Sequence, residues 1–232
     1  MKFEIIHIDE TESTNQWLRE HGSNADMVVT ADNQTAGRGC GTNRWESERG
    51  KNLLFSMLIH PKAIAATQQF RISMAVSLAV IETLDQYIGD VSIKWPNDIY
   101  WRDGKICGIL IENTLSGNTI RNSIIGVGLN VNQRIFRSDA PNPVSLWQIS
   151  GRETDRDLLL NDFLERFGQL LGQDVRSRYI AKLYRRKGFF PYADTEGAFM
   201  AEFVDVKDDG HLVLRDDNGA LRTYAFKEVR FV

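Results

Sequence analysis

At 232 residues, with 42% hydrophobic and 10% aromatic residues, the chain can bury one substantial core and one small satellite. Its 28 basic and 31 acidic residues leave a formal net charge of -3, so no broad positive field argues for nucleic acid or an anionic membrane as the main partner. Cys40 and Cys107 are too few for a disulfide framework or a zinc site, and the longest apolar stretch, near Met74 to Leu84, is too short to span a bilayer; a reducing, cytoplasmic setting is the expectation.

Phe3 to Ile8 reads as a strand, and Ser13-Thr14-Asn15-Gln16 has the spacing of a capping box that opens a short helix closed by Gly22. Met27 to Ala31 is a second strand, followed by a long polar loop from Asp32 to Asn52 carrying Gly37, Gly39, Gly41 and Gly50. Loops of that length in a compact domain are usually functional or disordered. Leu53 to Ile59 is a buried-type strand, and Thr67 to Tyr87 repeats apolar residues at helical spacing. The strand Val91 to Trp95 ends at Pro96, and Ile99 to Trp101 turns at Asp103-Gly104 into Lys105 to Glu112. Asn122 to Asn132 completes a mainly antiparallel sheet. Helices over Arg156 to Leu171 and Val175 to Arg186 are predicted to cover it. From Phe189 the texture changes to short alternating runs with turns at Asp208-Asp209-Gly210 and Asp217-Asn218-Gly219, which predicts a small all-β barrel of about five strands. The fold class is therefore α+β, a mixed sheet covered by helices plus a C-terminal barrel, with a boundary near Lys187.

Three segments carry candidate chemistry. In Gln34-Thr35-Ala36-Gly37-Arg38-Gly39-Cys40-Gly41-Thr42-Asn43-Arg44-Trp45, glycines let backbone N–H groups converge on an anion while arginines add forked contacts to phosphate or carboxylate. Without Trp45 a flexible surface linker is an equal reading; a large ring in such a loop needs something to cover it, and an adenine would serve. In Lys94-Trp95-Pro96-Asn97-Asp98 the strand places Lys94 opposite Val91, Ile93 and Trp95, and the proline leaves Lys94, Asn97 and Asp98 at a strand end. Lys105 follows just past the next turn. Gly126-Val127-Gly128-Leu129-Asn130 marks a bulge or a close approach by a ligand, and Gly108 carries the same ambiguity.

In this order, STN, QTAGRG, KWPND, KICGILIE and GVGLN resemble the catalytic module of biotin protein ligases, a class II synthetase-like fold, and the stretch from Phe189 resembles that family's SH3-like barrel. The resemblance implies an enzyme that makes biotinyl-5′-AMP from biotin and ATP with Mg²⁺, then passes biotin to a lysine of a biotin carboxyl carrier domain. It implies Ser13, Thr14, Asn15, Gln34, Arg38, Gly39, Cys40, Lys105, Gly108 and Gly128 around biotin, with Gly126 in the pocket wall. It implies Trp45, Lys94, Asn97 and Asn130 at the nucleotide, Arg38, Lys94 and Lys105 as the catalytic cations, and Asp98 at the metal. Two departures accompany it. Cys40 stands where the family loop commonly has a second basic residue, and the biotin motif begins too early to leave room for a winged-helix DNA-binding domain, so no nucleic-acid partner is expected. A homodimer through an exposed sheet edge is left open.

Overall fold

A computed structural model of the chain describes residues 3–62 and 64–232. Its main sheet has seven strands, β1 (Glu4–Thr11), β2 (Met27–Gln34), β3 (Leu53–Ile59), β4 (Val91–Lys94), β5 (Asp98–Trp101), β6 (Gly104–Ser116) and β7 (Thr119–Leu129), in the spatial order β1-β2-β3-β7-β6-β5-β4. Only β1 and β2 pair in parallel, joined through the helix α1 (Thr14–His21); the other pairs are antiparallel. The mixed, mainly antiparallel sheet expected from the sequence is thus present.

Alternation decides the two faces. Cys107 and Ile109 on β6, with Val127 and Leu129 on β7, join the main core, which is completed by α2 (Phe70–Leu84) and α4 (Arg156–Leu170). There Phe55 meets Phe163 edge to face at 5.1 Å, a favourable aromatic geometry. The opposite face carries Gly108, Leu110 and Glu112 beside Gly128, Gly126 and Ile124 in register. Part of it is covered by α1, where Leu18 packs on Met27, Val29 and Leu58. Beyond the N-terminus of α1 the glycines keep that face low, with no side chain of their own on it.

Several boundaries differ from the sequence reading. Ser13 is the N-cap of α1 by backbone geometry but its side chain makes no cap bond, and Gln16 turns outward to Glu20; the capping box expected there is absent. One does form at α3 (Leu146–Ser150), where Ser145 and Gln148 bond reciprocally. β2 runs on to Gln34 because it keeps pairing with β1 up to Thr11. The expected helix from Val175 shrinks to α5 (Arg176–Ala181), because residues 182–184 instead bond along the outer edge of β4: Ile93 N–H donates to Lys182 O at 2.8 Å and Tyr184 N–H to Ile93 O at 2.9 Å. The hairpin at Asp103-Gly104 exists, but Arg102, at φ 50°, takes the left-handed position.

The chain ends in a second antiparallel sheet of β8 (Phe189–Asp194), β9 (Gly197–Val206), β10 (Leu212–Asp216), β11 (Leu221–Tyr224) and β12 (Arg230–Phe231), ordered β11-β10-β9-β8-β12. It has β11 and β12 as its two edges, with no pairing between them among the described residues. Its inner residues Tyr192, Ala201, Leu212 and Leu214 belong to the same hydrophobic cluster as the main core. Trp95 Nε1 donates to Gly210 O at 2.9 Å, and Arg176 binds both Asp205 and Val206 O. No described helix is long and apolar enough to cross a membrane.

Candidate active site

The glycine strip of the main sheet is bounded at one end by the start of α1. Ser13, Thr14 and Asn15 are all buried, although a surface helix start would leave them wet. Thr14 donates its backbone N–H to Gln34 Oε1 at 2.8 Å and its hydroxyl to the same atom at 3.2 Å. Ser56 Oγ lies 2.7 Å from Thr14 Oγ1 and 2.6 Å from Asn15 Oδ1, and Asn15 Nδ2 donates to Glu112 Oε2 at 2.9 Å. Gly126, paired with Ser56 across the ladder, leaves the space that the Asn15 amide occupies. These groups form a compact cluster of donors and acceptors fixed by one another, suited to a small polar ring.

Next along the strip, Gly108 and Gly128 face each other in register. The Trp45 indole lies over this pair: a Cβ at Gly128 would fall 2.5 Å from Trp45 Cε2, and one at Gly108 2.8 Å from Trp45 Cζ3. The glycines therefore mark a close approach by a ring, and Trp45 Nε1 is buried there without a partner. Residues 37–45 fold back as a small hairpin, with Gly39 N–H on Asn43 O at 2.8 Å and Trp45 N–H on Gly37 O at 2.9 Å; Cys40 is at its tip, half-buried. An open groove of about 620 Å³ continues past Glu112, beside the strip, between α1 and the β6–β7 hairpin.

Cations surround the strip, each resting on a counter-group. Arg38 is 3.8 Å from Glu112, which Arg19 also binds at 2.7 Å. Lys105 pairs with Asp98 at 2.8 Å and stands 5.7 Å over the Trp45 ring. Lys94 donates to Tyr100 Oη at 3.0 Å and faces the ring of Phe231 from the second sheet at 5.3 Å. Lys94 and Asp98 are cross-strand partners, as are Tyr100 and Lys105, so these groups share the strip's face. Asn97 spends its amide on Ile109 O at 2.9 Å. Asn130, buried, donates to Val144 O at 3.1 Å, while its Oδ1 has no partner among the described residues. Behind the strip Cys107 is chemically silent, since burial pushes its thiol well above the usual range.

Asp98 is a lone carboxylate already held by Lys105, and among the described residues no group of three or more His, Cys, Asp or Glu gathers to hold a metal. That donor set fits a magnesium ion carried mainly by phosphates, which keeps one or two protein carboxylates. It does not fit a resident metal centre.

Sequence reasoning missed Ser56 and Glu112. Both had a signal: Ser56 is the single polar residue in the fully buried run Leu53–Ile59, where a hydroxyl needs a partner, and Glu112 shares its face with Gly108.

Fold and site together define a class of α+β proteins with a buried polar cluster, a glycine pair and a set of cations on one face of the main sheet. The chain belongs to the Biotin/lipoate A/B protein ligase family, whose pattern matches residues 5–130. It is 29% identical to the bifunctional ligase/repressor BirA of Bacillus subtilis, over 95% of this chain and 72% of that one. It is likewise 29% identical to the biotin–[acetyl-CoA-carboxylase] ligase of Paracoccus denitrificans, over 85% and 88%. The solved biotin protein ligase from Aquifex aeolicus in complex with biotin and ATP superposes with a TM-score of 0.83 at 26% identity, covering 99% of each chain.

Proposed function

We propose that this protein is a biotin protein ligase, joining biotin to ATP to give biotinyl-5′-AMP and pyrophosphate, then transferring biotin to a lysine of a biotin carboxyl carrier protein. The observation that carries the reading is the strip itself: the Thr14–Asn15–Gln34–Ser56 cluster at one end, the glycine pair in the middle, and Arg38 and Lys105 beside it. A ureido ring needs donors and acceptors fixed in advance. The thiophene and valeryl chain need a flat, close wall, and the carboxylate needs cations.

A carboxylate attacking the α-phosphate is already ionised, so the chain supplies no general base. Its task is to bring two anions together and to stabilise charge growing on the phosphorus oxygens. Arg38, Lys94 and Lys105 are assigned that work, each leaving the counter-group it now rests on. Asp98 is the carboxylate that would help hold Mg²⁺ once Lys105 turns to substrate, and the ion would supply further positive charge at the phosphates. Trp45 must leave the glycine strip for the ligand to lie on it, and its ring then serves the adenine, with Asn130 Oδ1 free to accept from the base. Ser13, Gly39, Cys40 and Asn97 complete the walls. The hairpin of residues 37–45 excludes water, which would hydrolyse the mixed anhydride.

Residues 1–187 form the catalytic domain in this reading and 188–232 an SH3-like barrel that backs Lys94. The reaction takes place in the cytoplasm, where carrier proteins and ATP are found. With the β4 edge bonded by residues 182–184, β1 is the edge left for pairing with a second copy. The test is mass spectrometry of a carrier domain incubated with the protein, ATP, Mg²⁺ and biotin. One added biotinyl group on one lysine is expected; no addition with biotin, but addition with lipoate or octanoate, would move the protein to the other branch of its family.

A further inference from the structure

The tip of the glycine-rich hairpin, Cys40-Gly41, carries no charge of its own. A charge reaches it from the opposite end of the chain. Lys227 lies in the turn between β11 and β12 with φ 73°, a backbone region that L side chains rarely take and that glycine takes freely. Glu228 fixes the turn: its carboxylate accepts the Ala225 N–H at 2.7 Å and its own N–H donates to Ala225 O at 3.2 Å. Phe226 anchors the turn edge-on to Trp95, with ring centroids 6.2 Å apart, beside the strand end that bears Lys94 and Asp98. From there Lys227 Nζ comes to rest against Gly41, in the space a Cβ at that position would fill.

Arg38 and Lys105 rest on carboxylates, and Lys94 on a tyrosine hydroxyl. Lys227 has no such counter-group among the described residues; its neighbouring Glu228 is turned to the backbone, and its aromatic neighbour Phe226 is 5.9 Å away. In the ligase reading this loop covers the adenylate, and an ammonium held against its backbone, at a position where a lysine is strained, is placed for that anion.

We propose that Lys227 is a phosphate-facing cation of the nucleotide site, supplied by the second sheet to a loop tip that has none. The assignment rests on the ligase reading. It is tested in the full chain with Lys227→Met, Lys227→Arg and Lys227→Gly, reading the KM for ATP in biotin-dependent pyrophosphate exchange and the rate at which preformed biotinyl-AMP leaves the enzyme. Lys227→Met is expected to worsen one or both by about tenfold, the scale of one charge-assisted contact, and Lys227→Arg to restore most of it. A change in KM alone assigns the contact to the outer phosphates; a change in release alone assigns it to the adenylate. Lys227→Gly separates charge from folding: it should melt no lower than the wild type, because glycine takes φ 73° freely, yet lose as much as Lys227→Met. Both readouts unchanged in Lys227→Met, or Lys227→Gly behaving as wild type in both, would overturn the assignment. A wild-type chain that forms no adenylate would overturn the ligase reading first and this one with it.

Discussion

Ser56 sits at the centre of the polar cluster with no exposed surface, touching Thr14 and Asn15 together. Removing its hydroxyl leaves buried polar groups without a partner, at a cost of about 1–3 kcal/mol. Part of that cost falls on the pocket's preorganisation, so Ser56→Ala should raise the KM for biotin about tenfold while the KM for ATP stays near its wild-type value; equal shifts in both would remove Ser56 from the biotin end. Gly128→Ala tests the middle of the strip. The new methyl would collide with the indole of Trp45 and narrow the space any ligand must share, so kcat/KM for biotin should drop by at least about tenfold, roughly 1.4 kcal/mol of transition-state stabilisation. Full activity in Gly128→Ala would show that no ligand lies there. At this scale the loops were legible in the sequence, but the resting partners of their side chains were not. Lys94 was placed on the correct strand face by alternation, yet the ring that holds it, Phe231, comes from the far end of the chain and no local pattern announces it. Lys105–Asp98 was hidden for a different reason: a strand register is needed before two residues seven apart in sequence but cross-strand in space can be paired.

Among the elements, strands were easier to read than helix ends. The run Leu53–Ile59 is apolar enough to announce itself, and Lys105 to Glu112 marks most of β6, whereas a Ser-x-x-Gln spacing occurs twice and caps once. Ser13 is buried and its side chain makes no cap bond. At Ser145 the Oγ accepts the Gln148 N–H at 3.1 Å, Gln148 Oε1 accepts the Ser145 N–H at 3.0 Å, and the same hydroxyl donates to Gln133 O at 2.6 Å. Ser145→Ala should therefore cost about 1–2 kcal/mol and lower the melting temperature by about 2–8 °C in a chain of this size. The effect should also reach the nucleotide end, because Leu146 N–H donates to Asn130 O and Asn130 Nδ2 holds Val144 O. A melting curve that does not move would mean that the cap is idle.

At the scale of the whole molecule the larger of two hydrophobic clusters runs through both sheets, so packing crosses the change of sequence texture near Lys187. Within the second sheet a set of charged and hydroxyl groups adds to the packing and the strand ladders. Arg222 binds Asp216 at 3.0 Å and Asp194 at 3.3 Å over the ring of Phe199. The Tyr224 hydroxyl donates to Asp194 at 2.7 Å, and that bond, ahead of the charge of Arg222, holds the Asp194 carboxyl below its usual range. Asp216 is lowered first by the Ala220 N–H, with Arg222 adding to it. Tyr224, largely through burial, is pushed up to about 12. Both aspartates have folded values below the ordinary 3.8, so the unfolded chain takes up protons first as the solution is acidified. Their contribution is complete above roughly pH 5 and is lost as the pH falls through about 4 and below, where protonation breaks the contacts to Arg222. The melting temperature should accordingly be flat between neutrality and about pH 5 with respect to these groups and fall steeply under about pH 4. Asp216→Asn should melt lower than wild type at pH 7 and lose less on going to pH 3, since an amide has no proton to gain. If the two proteins lose stability in parallel down to pH 3, the carboxylate pair does not hold the second sheet. Because Phe231 and Lys227 reach the site from that sheet, biotin-dependent pyrophosphate exchange should then be insensitive to Asp216→Asn as well.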